Sequence, residues 1–132
     1  MSEETRTIRL GLVGDGPRAK VLAETIAGVS GLELARMATE DAEVRAAAGP
    51  DTKLVDDWRE VMNPNDVQGV VVATIPERHV DMAREAVSSS VAVLLEPPVA
   101  ANLGDAAALK RVAGMGGALV MVDHTPLLLP AL

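Results

Sequence analysis

Residues 8–19 read Ile8-Arg9-Leu10-Gly11-Leu12-Val13-Gly14-Asp15-Gly16-Pro17-Arg18-Ala19, an aliphatic run that breaks on two glycines and reopens on a helix-forming stretch. Ala19, Leu22, Ala23 and Ile26 follow at i, i+3, i+4 and i+7, the spacing of one buried helical face. Strand, glycine turn and helix in that order give the G-x-G-x-x-A pattern its meaning. The first glycine permits a tight turn, the second lets a pyrophosphate approach the backbone, and the small third residue lets helix pack on strand. Pro17 suits a first helical turn, where its missing N–H would have no partner anyway. Free amides and the helix dipole favour an anion there, with Arg18 as an added cation. A glycine turn that only joins strand to helix is the plainer alternative.

Outward from this unit the same alternation repeats. Strands are expected near residues 8–13, 32–38, 53–55, 68–74, 91–95 and 118–122. The run Gln68-Gly69-Val70-Val71-Val72-Ala73-Thr74 is apolar continuously rather than alternately, as in a parallel strand covered on both faces. Ala106, Leu109, Val112 and Ala113 mark a later helix, and Asn102 with Asp105 and Asp57 with Glu60 have capping-box spacing. The expected architecture is α/β: a Rossmann-like, doubly wound parallel sheet of about six strands with helices on both faces. Ligands of such sheets bind beyond the carboxyl ends of the strands.

Composition narrows the function classes. At 132 residues the chain has the size of one domain. Its 48% apolar and 23% charged residues suit a globular protein. With no cysteine, zinc-thiolate sites and thiolate nucleophiles are excluded, and no metal site is expected. A net charge of -7 without a basic stripe argues against nucleic acid. No apolar run approaches the roughly 20 residues of a membrane helix. The polar, acidic start lacks a secretory pattern, so a cytoplasmic protein is expected. Trp58 is the only aromatic residue, which leaves Ala, Val, Leu and Met to fill the core.

The loops after the strands hold the other candidates. The second strand of a dinucleotide fold ends in an acid that grips the adenosine ribose when NAD is the ligand. Here that slot is Thr39, followed by Glu40 and Asp41, with no arginine next to it. Either Glu40 turns inward to the ribose or Thr39 leaves room for a 2′-phosphate, the plainer reading of Glu40 and Asp41 being two acids that favour a helix N-terminus, and NAD versus NADP stays open. Arg36, inside an apolar strand, fits only a stretch of sheet left uncovered. After the fourth strand, Thr74, Pro76 and His79 would face the crevice, with His79 either touching the ligand or acting as a solvated cap.

Taken together, residues 8–19, VVVATIPERH, VLLEPPVA and VMVDHTPLLLPA resemble the Gfo/Idh/MocA oxidoreductases. The resemblance implies an NAD- or NADP-binding domain, residues 1–132, from enzymes acting on sugars, inositols and related compounds. It also implies a second, catalytic domain after VDHTPLLLPA, where this sequence stops. The family's Glu-Lys-Pro loop, whose lysine assists proton transfer, is Glu96-Pro97-Pro98 here. Proline has neither proton nor charge to offer. No catalytic residue is therefore assigned, and the isolated chain is expected to bind without turnover. Glu96 is read as capping local backbone N–H groups, and Asp123 and His124 as structural. The cofactor-binding set is Gly14, Gly16, Pro17, Arg18, Thr39, Thr74, Pro76, His79 and Glu96. A stand-alone nucleotide or coenzyme A binding module and a purely structural interaction domain remain as alternatives. The apolar tail Pro126–Leu132 suggests a homodimer or loose oligomer.

Overall fold

The structure, a computed structural model, describes residues 6–123. His124 and the apolar tail lie outside the described residues. The elements are β1 (Ile8–Gly14), α1 (Gly16–Gly28), β2 (Leu32–Ala38), α2 (Ala42–Ala46), β3 (Lys53–Leu54), β4 (Gly69–Ala73), α3 (His79–Ser88), β5 (Ala92–Leu95), α4 (Leu103–Gly114) and β6 (Val120–Val122), with 3₁₀ turns at Trp58–Val61 and Pro76–Arg78. They form one sheet of six parallel strands in the order β3-β2-β1-β4-β5-β6. The chain winds outward from β1 in one direction, then restarts at β4 and winds in the other. The switch point lies between β1 and β4, where Val13 pairs with Val72 and Gly14 with Ala73.

Two apolar layers sandwich the sheet. One gathers Leu12, Leu34, Met37 and Val71 under Ala19, Ala23 and Ile26 of α1 and Val44 of α2. The other gathers Val13, Val70, Val72, Val93 and Leu95 under Met82, Ala83 and Ala86 of α3 and Leu109 and Val112 of α4. All five residues of β4 are buried, as its unalternating sequence predicts. Each fully buried Val, Leu or Met contributes about 1.5–3 kcal/mol, so many small side chains do the work that aromatics do elsewhere.

Between β3 and β4 no full helix covers β2 and β1. The 3₁₀ turn Trp58–Val61 lies there instead, with Val61 fully buried. Asp57 caps that turn by accepting from Arg59 N, so the second capping signal starts a single turn rather than a helix. Asn102 does cap α4, accepting from Asp105 N at 2.9 Å. The thin cover explains Arg36. Its guanidinium donates to Glu60 O at 2.8 Å and pairs with Asp66 at 2.6 Å, pinning the turn and the segment before β4 onto the strand.

Candidate functional site

The two glycines divide the labour differently from the sequence expectation. Gly14 is still in β1, and a Cβ there would run into the carbonyl of Ala73, so this glycine lets β1 and β4 close up at the switch point. Gly16 carries the turn. Its φ of +86° favours glycine, and a Cβ there would meet nothing within 4 Å. The head of α1 therefore faces open space. Ala19 is fully buried beneath α1, as the third position of the pattern requires.

Asp15 precedes α1 in extended conformation but makes no side-chain cap on it. Its Oδ1 instead accepts from Thr39 Oγ1 at 2.7 Å, Glu40 N at 2.8 Å and Asp41 N at 3.2 Å. Asp41 answers from the other loop. One of its oxygens accepts from Gly16 N and the other from Glu43 N, each at 2.9 Å, so it caps α2 and braces the glycine turn at once. Those N–H groups, Gly16 first, hold the Asp41 carboxyl below the usual carboxylate range. A helix leaves its first N–H groups without intrahelical partners. Pro17 has none and Gly16 spends its own on Asp41, which leaves the Arg18 N–H as a first-turn donor with no intrahelical partner.

A groove runs across the carboxyl ends of the strands in two joined halves. One, about 450 Å³, is lined by Asp15, Arg18, Thr74, Pro76, Glu96 and Pro97 among others. The other, about 210 Å³, lies between the end of β2 and the 3₁₀ turn, against Thr39, Glu40, Arg45 and Trp58. Asp15, Thr74 and Arg78 line both. Sequence reasoning missed Asp15, Arg45, Trp58 and Arg78; an acid inside the glycine turn opposite the neutral Thr39 was the signal that pointed to Asp15.

Glu96 is 7% exposed and does not cap backbone, contrary to expectation. It accepts from Arg18 Nε at 3.0 Å and Nη2 at 3.3 Å, while the same guanidinium reaches Asp123 at 3.0 Å. Arg18 thus ties the head of α1 to the ends of β5 and β6, and its guanidinium is already paired rather than free for a ligand. The Glu96 hydrogen bond raises the Arg18 pKa above its ordinary value. Burial raises that of Glu96, and the nearby Asp123 carboxylate adds to it; Arg18 offsets this only in part. Pro97 is exposed on the groove wall, joined to Pro98 by a cis bond.

His79 is neither a solvated cap nor a groove residue. It is fully buried, with Nδ1 2.9 Å from Val99 O and Nε2 without a partner. Its hydrogen bond holds the chain that follows Pro98. Thr74 lies on the groove wall, its hydroxyl bonded to Ile75 O at 3.2 Å.

A parallel sheet in this strand order, with a glycine turn and an open helix head at its switch point, defines a dinucleotide-binding Rossmann domain. The profile of the Gfo/Idh/MocA oxidoreductase family, NAD-binding Rossmann fold, matches residues 8–124. The chain belongs to that family. A candidate oxidoreductase from Magnetospirillum magnetotacticum MS-1 superposes with a TM-score of 0.88 at 36% identity, over 95% of this chain and 41% of that one. The uncharacterized oxidoreductase YdgJ of Escherichia coli (strain K12) is 29% identical over 89% of this chain and 34% of its own. Inositol 2-dehydrogenase 2 of Paenarthrobacter aurescens (strain TC1) is 32% identical over 73% of this chain and 30% of its own. The chain thus spans about a third of the length of these curated relatives. Among the described residues, no helix is long and apolar enough to cross a membrane.

Proposed function

We propose that residues 1–132 form the nicotinamide-dinucleotide domain of an oxidoreductase for inositols, sugars or related polyols, and that the groove holds the cofactor. Family membership supports a nicotinamide dinucleotide. The observation that carries the placement is the glycine turn: Gly16 has a positive φ and open space beside it, and its neighbour Asp15 lines both halves of the groove. In this reading Gly16 and the Arg18 N–H receive the pyrophosphate. Thr39, Arg45 and Trp58 flank the adenosine, while Thr74, Pro76, Glu96 and Pro97 flank the nicotinamide. Gly14 and Pro17 shape the turn, and His79 supports the wall from behind.

A bound nicotinamide would donate or accept hydride at a carbinol or carbonyl carbon. The described residues do little more than orient it. Thr74 spends its hydroxyl on a backbone carbonyl, and Pro97 offers no proton. Glu96 is pinned by Arg18. In this reading the described residues bind the cofactor rather than catalyse.

The sole aromatic residue supplies the test, because Trp58 lines the adenosine half. Titration with NADH, NADPH, coenzyme A and ATP, followed by Trp58 fluorescence and calorimetry, should show saturable binding of a reduced nicotinamide dinucleotide. Binding of coenzyme A or ATP alone would replace this reading with that of a nucleotide or coenzyme A module.

A further inference from the structure

We propose that Asp15 is the residue that selects NAD over NADP in this groove, an inference that rests on the dinucleotide reading above. A ribose with free 2′- and 3′-hydroxyls needs an acceptor, and a Rossmann domain ordinarily supplies it from an acid at the end of β2. That position is Thr39, whose hydroxyl donates to Asp15 at 2.7 Å. The carboxylate the strand lacks is thus brought to the same place from the glycine turn.

Three donors converge on one oxygen, Asp15 Oδ1: the Thr39 hydroxyl and the N–H groups of Glu40 and Asp41. They fix the side chain against the β2–α2 loop. Oδ2 accepts no hydrogen bond from the described residues, and the exposed carboxylate lines both halves of the groove. A held carboxylate with one oxygen to spare is suited to accept from ribose hydroxyls and to repel a phosphate placed on one of them. Glu40, the next acid on the same wall, adds to the repulsion. Arg45 and Arg78 are the cations of this half, but Arg45 Nη2 is turned to the carbonyl of Thr39 at 3.0 Å.

The test is calorimetry of NAD⁺ and NADP⁺ on the parent chain and on Asp15→Asn, which keeps an acceptor at Oδ1 and removes the charge. The parent should prefer NAD⁺ by roughly a hundred-fold, and the variant should lose ten-fold or more of that ratio, the range of a hydrogen bond to a charged group. A parent that prefers NADP⁺, or a ratio unmoved in the variant, overturns the role of Asp15 while leaving dinucleotide binding intact. Failure of the parent to bind either cofactor overturns both readings. A second measurement needs no variant: the parent should bind AMP more tightly than adenosine 2′,5′-bisphosphate. The reverse order would assign the groove to a 2′-phosphate, with Arg45 and Arg78 as its partners.

Discussion

Replacing Gly16 with valine separates binding from folding at a single residue. A Cβ at this position meets nothing within 4 Å, so the folded state suffers no clash. The cost is conformational. Holding a non-glycine residue at φ +86° costs about 1–2 kcal/mol, somewhat more for a β-branched one. Against a typical stability of about 5–15 kcal/mol the domain still folds, with a melting temperature lower by about 5–10 °C. The valine methyls would fill the space in which the pyrophosphate approaches the turn. Loss of that approach should weaken NADH binding by at least about a hundred-fold, or about 2.7 kcal/mol. Gly14→Ala is the control, because its Cβ drives into the Ala73 carbonyl and forces β1 from β4. It should destabilise by about 1–3 kcal/mol or more. Urea denaturation and calorimetry on the same preparations read both effects. A folded Gly16→Val chain that binds NADH as tightly as the parent would refute the placement of the cofactor.

Glu96→Gln tests the buried end of the Arg18 network. Because the folded-state pKa of Glu96 lies above its ordinary 4.5, the native state binds more protons in that window, and its stability falls as pH rises through it. The Gln variant lacks that slope, so urea denaturation from below pH 4.5 to neutral should show its stability gaining on the parent; a parent that gains instead contradicts the dominance of burial over Arg18. Pro17→Ala adds an N–H at the head of α1 and should tighten NADH binding about ten-fold by calorimetry, since a hydrogen bond to a charged group is worth about 1.5–3 kcal/mol before the lost rigidity of proline. Unchanged affinity would mean the pyrophosphate does not sit there. Pro97→Lys should leave NADH production from inositols and aldoses below detection, as in the parent, because one restored proton-transfer group does not hold a substrate. Turnover by either chain at ordinary enzyme rates would contradict the assignment of binding alone.

Local pattern carried the fold. The aliphatic β1 run with its glycine turn, the helical spacing from Ala19 to Ile26 and the unbroken apolar run of β4 each announce an element within a few residues. Alternation of such elements was enough to expect a doubly wound sheet. The site was legible only as far as it too was local. Gly16, Thr39, Thr74 and Glu96 do lie along the groove or at its turn, but their partners come from far along the chain. Arg18 meets Glu96 across 78 positions and Asp15 meets Thr39 across 24. A spacing rule cannot see such pairings. Arg36 is comparable: its oddness inside β2 was visible, while the clamp on Glu60 and Asp66 exists only once the missing crossover helix leaves that face to a 3₁₀ turn. His79 was misplaced because a histidine at a helix start reads as solvated unless the loop that buries it, around Val99, is known.

Amide chemical-shift mapping on isotope-labelled protein during NADH titration reports directly whether the cofactor occupies the groove at the glycine turn. Saturable shifts are expected at Asp15, Gly16 and Arg18, extending to Thr39 on one side and to Thr74 and Glu96 on the other, with the Trp58 indole moving in step. Saturable shifts that spare the glycine turn, or none at all up to millimolar NADH, would contradict that placement.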